Sequence, residues 1–396
     1  MKSKSRLPSQ TQPQLPWRNL SLAVASILVC LVLLEGAIRI RQWIRYGSTR
    51  VYLGGALVHD PASDLMIPVP GSSTGNISIN SLGFRSPELP LEKPDHTIRL
   101  AFLGASTTFC AEASSNQMTW PDLVVQRLRH DYPGTRFDYV NGGVAGYKTS
   151  ESLANLRHRV GPLSPDVIII YHATNDLASE VSRLATAEGL DSQKRQDWLE
   201  QHSLAWHLIK KNALIAYRSH QAEERRDRLQ LEEKHFSLGF EERLSQLIVE
   251  SKKRANLVAI ATFSYKVRQD QTPEVKAKNA EIAIFYMPSL TPESLLFGYQ
   301  EFNRVIDKLA LDHDLVLVQG ELDIPADDQH FADTFHFRDL GNRKMAERVS
   351  SALASSPEFV RLVKGQELDP TIHLAEEPPH SQGKPEGLAS VFGRCC

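Results

Sequence analysis

An excess of charge of one sign is missing from this 396-residue chain: 45 Lys and Arg stand against 47 Asp and Glu, a formal net charge of −2. A near-neutral chain has neither the broad positive field of a nucleic-acid scaffold nor the self-repulsion of an acidic solvating tail, so no nucleic-acid partner is expected. Cysteine is also scarce: the four are Cys30, Cys110, Cys395 and Cys396. One lies in an apolar run and two are adjacent near the C-terminus, which excludes a disulfide framework and any Cys/His spacing suited to a metal. No internal repeat is present. What remains, 41% hydrophobic and 23% charged residues, is ordinary globular composition with enough length to bury a core.

One long apolar run is present. Residues 1–18 are polar and carry Lys2, Lys4, Arg6 and Arg18; then Leu20 to Ile38 reads LSLAVASILVCLVLLEGAI, with Glu35 as its one charge. As a helix, that run spans roughly 28 Å, close to the hydrocarbon thickness of a bilayer. A transmembrane anchor over 19–39 is the expectation. A cleaved signal would want small residues at its cleavage site, which Glu35-Gly36-Ala37 offers poorly, and a lipoprotein signal would want a small residue where Val29 precedes Cys30. A soluble core helix is rarely so uniformly apolar. Arg39, Arg41, Arg45 and Arg50 follow the run and match the four basic residues before it, so the charge count sets no orientation.

Beyond a proline-rich stem over 40–96, apolar strands alternate with helices. Ile98–Leu103, Phe137–Val140, Asp166–Tyr171, Leu257–Thr262 and Leu315–Val318 read as strands; helices are expected from Trp120-Pro121, over 149–160 and over 338–353. A run such as DVIIIY suits a strand buried on both faces, and the alternation argues for a parallel sheet covered on both sides. Residues of about 178–253 exceed what such a core needs and read as a helical insertion, with helices over 204–217 and 221–252; it is either a solvated excursion or a lid or partner-docking element. From 365 to 396 the polar, Pro/Gly-containing chain reads as a disordered tail.

Four short blocks carry chemistry. FLGASTTF (102–109) puts Ser106 just past a strand, at the sheet edge where open α/β folds place ligands; the plainer reading is a helix-capping serine. NGGVAGY (141–147) follows the second strand and lets backbone N–H groups approach a ligand, or is merely a turn. YHATND (171–176) projects the Asn175 amide from the third strand, or caps a helix with it; His172 reads as packed or surface-exposed rather than catalytic. DTFHF (333–337) places Asp333 three residues before His336, within reach of its ring, although D-x-x-H alone is common.

The order Ser, Gly, Asn, Asp-x-x-His resembles the SGNH (GDSL-type) hydrolase superfamily, and its membrane-anchored bacterial branch in particular, through G-A-S-T-T at 104–108 and NSLGFR at 80–85. The resemblance covers about 78–355, with the hydrolase domain itself over 97–355. It implies a three-layer α/β/α fold with a mostly parallel, flavodoxin-like five-stranded sheet, plus the N-terminal transmembrane helix and the helical insertion. By match, Ser106 is the nucleophile, His336 the general base and Asp333 its orienter. The Ser106 N–H, the Gly143 N–H and the Asn175 side chain form the oxyanion hole; Gly143 is chosen over Gly142 and Gly146 by alignment to N-x-G. Ala105 stands where the G-D-S form has aspartate. Ala173 stands where G-x-N-D has glycine and is expected to narrow the cleft.

The function so implied is a serine esterase without metal or cofactor. Its expected substrate is a small-molecule, lipid or carbohydrate ester, with an O-acetyl group on an extracytoplasmic glycan as the leading guess. The expected location is a single-pass cell-membrane protein with the catalytic domain outside the cytoplasm. An O-acyltransferase on a polysaccharide uses the same chemistry with a different acceptor. A catalytically silent membrane-anchored scaffold is the alternative from another class, but it would have no need of all four residues.

Overall fold

The computed structural model describes residues 17–46, 57–189, 229, 231 and 236–365. Residues 1–16 of the polar N-terminal segment, the middle of the expected insertion and residues 366–396 of the expected tail lie outside the described residues.

A helix over Trp17–Tyr46 comes first, followed by two short antiparallel hairpins, β1 (Leu57–Asp60) with β2 (Leu65–Pro68) and β3 (Ser73–Thr74) with β4 (Ile77–Ser78). The five apolar segments then form one sheet. Its strands are β5 (Thr97–Gly104), β6 (Arg136–Asn141), β7 (Val167–Tyr171), β8 (Leu257–Ala261) and β9 (Val316–Val318), in the order β6-β5-β7-β8-β9. Every pairing is parallel. All residues of β5, β7 and β8 are buried, which is why these segments are continuously apolar rather than alternating. Arg99 is the exception inside β5: its guanidinium forks onto both Asp138 carboxylate oxygens (2.8 and 2.7 Å) and donates to Leu163 O. That pairing is what makes a fully buried cation tolerable.

Helices Trp120–Asp131 and Asp339–Ser355 pack together, and helices Thr149–Asn155, Thr174–Ala187, Leu238–Lys252 and Pro292–Asp312 pack among themselves, so the sheet is flanked by helices as expected. The expected helix over 149–160 narrows to Thr149–Asn155 and continues as a wide turn over Leu156–Val160.

Three departures from the sequence reading bear on the site. Residues 57–96, read as a stem, are packed onto the domain: Phe84 and Leu89 join the main core, Ile77 and Ile79 pack on Phe109, and Leu65 and Ile67 on Val144 and Tyr147. The residues assigned to an insertion of about 178–253 begin and end in core helices. Thr174–Ala187 buries Leu177 and Val181, and Leu238–Lys252 buries Phe240, Leu244, Leu247 and Ile248, so the latter serves the β7-to-β8 crossover. The expected helix 221–252 is accordingly shorter where it is described. Between β8 and β9, helices Pro273–Tyr286 and Pro292–Asp312 occupy a stretch to which the sequence reading gave no element.

Candidate active site

Strand β5 ends at Gly104, and the chain turns at once into the single helical turn Ser106–Phe109. The turn folds back so closely that a Cβ on Gly104 would lie 2.0 Å from Thr108 Oγ1 and 2.8 Å from Tyr171 O; only glycine fits there. Ser106 is thereby lifted to the carboxyl edge of the sheet and is the one part-exposed residue between Phe102 and Cys110.

His336 reaches Ser106 from the opposite rim. An antiparallel bridge between Phe331 and Phe337 closes the loop that carries it, and Ala332 N–H donates to His336 O at 2.8 Å. Buried Phe331, Phe335 and Phe337 anchor this loop. Asp333 Oδ1 accepts the backbone N–H groups of Phe335 and His336, both at 3.0 Å, and that turn leaves Oδ2 facing His336 Nδ1 at 2.7 Å. His336 Nε2 lies 2.8 Å from Ser106 Oγ. The D-x-x-H spacing thus has a local cause: the carboxylate holds the turn and the ring together. Burial pushes the Asp333 carboxyl up, but His336 and the two N–H donors outweigh it and hold the group below the ordinary carboxylate range.

Asn175 stands at the start of the helix after β7, and its Nδ2 donates one hydrogen to Tyr147 O at 2.9 Å. The structure does not place Gly143 beside these groups. Its N–H donates to Asn141 Oδ1 at 3.0 Å, and Asn141 Nδ2 donates in turn to Thr108 O. A Cβ on Gly143 would lie 2.6 Å from Phe109 N and 2.8 Å from Thr108 C. Gly143 is therefore the point where the glycine loop backs onto the nucleophile turn. Gly146, at φ +87° and with open space around it, is the glycine that lines the cleft with Ser106, Asn175 and His336. Its exposure was legible in neither spacing nor composition; the positive φ is the feature that calls for glycine.

These two glycines give separable outcomes. Gly143→Ala should lower stability by about 1–3 kcal/mol through overpacking against backbone. Gly146→Ala should also melt lower, by about 1–2 kcal/mol, because alanine is strained at φ +87°. It should in addition lose more turnover than Gly143→Ala when both are assayed well below their melting transitions. Melting and ester hydrolysis on both variants check this, and equal turnover of the two would refute it.

The cleft has a volume of about 310 Å³, and Ala145, Ala178, Ile282, Tyr286, Met287 and Phe335 give it an apolar wall. Ile282, Tyr286 and Met287 come from the helix Pro273–Tyr286 and its end, which the sequence reading missed. The available signals were Thr272-Pro273 and Thr291-Pro292, each a threonine cap followed by proline at the first helical position. Ala173 does not narrow the cleft: its methyl lies in the main core at 2% exposure.

His172 is packed, not catalytic. It is buried, with Nε2 2.8 Å from Ser152 Oγ and Nδ1 3.9 Å from Asp176 Oδ2. Burial pushes its pKa down to about 4, with Glu151 opposing. Because the folded value lies below the unfolded value of about 6.5, the stability this neutral ring contributes is complete above pH ~6.5 and is lost as pH falls toward about 4, on the order of 3 kcal/mol in all. Burial raises Asp176 and works in the other direction, so the comparison is between proteins at each pH. His172→Gln should flatten the fall in melting temperature between those limits; an unchanged slope would rule His172 out as its source.

Among the described residues no group of three or more His, Cys, Asp or Glu side chains is arranged to hold a metal. The profile of the GDSL-like lipase/acylhydrolase family matches residues 102–344, more than half of the chain. Among solved structures, the chain is similar to a variant of an acetyl-xylooligosaccharide esterase from Geobacillus stearothermophilus (16% identity, TM-score 0.40, covering 66% of this chain and 95% of that one). It is also similar to a lipase/acylhydrolase from Enterococcus faecalis (16% identity, TM-score 0.39, covering 65% and 95%). No curated protein matches it.

Proposed function

This chain belongs to the GDSL-like lipase/acylhydrolase family and is an ester-hydrolysing enzyme, and on that premise we propose that it works through a Ser106–His336–Asp333 triad. The observation that carries the proposal is the unbroken contact from Asp333 Oδ2 through both nitrogens of His336 to Ser106 Oγ, at 2.7 and 2.8 Å, opening into an apolar-walled cleft. Ser106 Oγ attacks the acyl carbonyl while His336 Nε2 takes its proton. His336 then returns that proton to the departing alcohol, leaving the acyl group on Ser106. Water repeats the sequence: His336 takes a proton from it as its oxygen attacks the acyl carbon, and then returns that proton to Ser106 Oγ as the bond to the acyl group breaks and the acid leaves. Asp333 fixes the ring and stabilises its charged form. The tetrahedral oxygen is held by the Ser106 N–H, by the second hydrogen of Asn175 Nδ2 and, in place of Gly143, by the Gly146 N–H.

The acyl group is taken against the apolar wall, and the leading substrate is an O-acetyl group on a glycan outside the cytoplasm, with a lipid ester second. The test is a panel of acetylated sugars and of short- and long-chain aryl esters on the purified enzyme. Acetate release from sugars is expected; turnover confined to long acyl chains would reject the glycan reading.

The same proposal extends to the N-terminal helix, Trp17–Tyr46, whose side chains Leu22, Ile27, Val32 and Leu33 are exposed. Its apolar span Ser21–Arg41 carries Glu35, which is paired with Arg39 at 2.6 Å. At 1.5 Å per residue the whole helix is about 45 Å long, more than the roughly 30 Å of hydrocarbon. It serves as an anchor, and the full chain should stay with membranes through high-salt and alkaline washes while a chain beginning at residue 45 is released. Release of the full chain by alkali would exclude an anchor.

A further inference from the structure

The NSLGFR segment at 80–85 takes no part in the chemistry above, yet it ends in a fully buried arginine. Asn80 builds the turn: its Oδ1 accepts the N–H groups of Leu82 (3.1 Å) and Phe84 (2.9 Å). Gly83 completes it at φ +79°, where a Cβ would lie 3.1 Å from Pro68 O. Phe84 enters the core, and Arg85 is aimed inward at 0% exposure.

Every hydrogen bond of Arg85 goes to a neutral acceptor. Nε donates to Asn116 Oδ1 (2.9 Å), Nη2 to Asn76 O (3.1 Å), and Nη1 to both Phe109 O (3.0 Å) and Cys110 O (2.5 Å). No carboxylate pairs with it among the described residues, and burial pulls its pKa down to about 10. A buried cation without a counter-ion is costly, so its retention calls for something an apolar side chain would not supply. Phe109 and Cys110 end the turn that Ser106 begins. Cys110 is held at φ +59°, and its N–H donates to Ser106 O at 2.8 Å. The same segment also packs Ile77 and Ile79 on Phe109, Leu65 and Ile67 on Val144 and Tyr147, and accepts the Tyr147 hydroxyl at Met66 O (2.9 Å).

We infer that Arg85 is a positioning residue for Ser106, and that residues 57–85 form the buttress holding the nucleophile turn and the glycine loop in register. The fork of the guanidinium fixes the Phe109 and Cys110 carbonyls, Cys110 N–H fixes Ser106, and Ser106 Oγ stays in line with His336. The inference rests on Ser106 being the nucleophile. A positive charge alone does not meet the requirement, because an ammonium cannot serve acceptors spread over Asn76, Phe109, Cys110 and Asn116 in one plane.

The test uses the full chain and Arg85→Lys, Arg85→Met and Asn116→Ala, with Leu89→Ala as a variant that loses core packing away from the turn. Melting, kcat, KM and the labelling rate of Ser106 by a serine-reactive phosphonate are measured well below each melting transition. For both Arg85 variants kcat and labelling should fall together by about 10–100-fold with KM within about two-fold, as for a nucleophile displaced by a fraction of an ångström. Asn116→Ala, which keeps Arg85 but removes one acceptor, should fall by about 3–10-fold. Leu89→Ala should melt lower with normal kcat. Arg85 variants that melt lower yet keep wild-type kcat and labelling overturn the inference, as does a wild-type rate for Arg85→Lys. If neither Arg85 variant folds, wild-type turnover by Asn116→Ala overturns it. Ser106→Ala run alongside separates the two failures, since retained turnover there removes the serine reading itself.

Discussion

Ser106→Ala should lower kcat by at least about 10³-fold while leaving the protein folded and KM little changed. Only Oγ is removed, and Ser106 is part-exposed at the cleft, so no cavity opens in the core and no buried partner is stranded. His336 keeps its Asp333 contact at 2.7 Å, and the backbone donors keep their places. What is lost is the covalent route; the residual rate is what binding and oxyanion stabilisation give to direct attack by water. A serine-reactive phosphonate should label the wild type at Ser106 alone, because among the described residues no other serine is joined to a histidine–carboxylate pair opening on this cleft. Equal labelling of the alanine variant, or kcat within ten-fold of wild type, would remove Ser106 from the mechanism.

The residues whose positions were legible in the sequence are those fixed by local chain geometry. Continuous apolar runs marked β5, β7 and β8 because strands buried on both faces have no polar side to alternate with, while the edge strands β6 and β9 are part-exposed and were read from shorter apolar stretches. Ser106 and Asn175 follow strand ends directly, and Asp333 and His336 are joined by a turn that their own spacing creates. Which of the three glycines in N-G-G-V-A-G serves packing has no local signature: Gly143 meets Phe109, a neighbour 34 positions away, while Gly146 takes φ +87° in open space. The apolar wall from Ile282 to Met287 was missed because that helix has no clean apolar stripe, buried Lys276 and Asn279 interrupting its inward face. The segment over 57–96 looked like a stem because its prolines and short strands lack periodicity. Its burial is set by contacts with loops at 109 and 144–147, which no local pattern encodes.

Asn175→Ala should lower kcat by on the order of 10²–10³-fold with KM within about two-fold, because the amide donates to charge that exists mainly in the transition state. The contact already present makes this a test with two arms. One Nδ2 hydrogen is committed to Tyr147 O at 2.9 Å and orients the amide; the second is the one proposed to face the oxyanion. Alanine loses both. Losing the first should cost about 0.5–1.5 kcal/mol of stability, an ordinary hydrogen bond, because Asn175 is only part-buried and water can reach the freed carbonyl. That cost cannot produce a hundred-fold kinetic loss in a protein assayed well below its melting transition. Asn175→Asp sharpens the comparison: it keeps the side chain's size but replaces the donor with a carboxylate that repels both Tyr147 O and the developing oxyanion. It should therefore be at least as slow as alanine, and slower still relative to its melting temperature. If Asn175 were only a helix-start residue, both variants would melt lower and turn over normally in the cold. That outcome would leave the Ser106 and Gly146 N–H groups as the whole oxyanion hole.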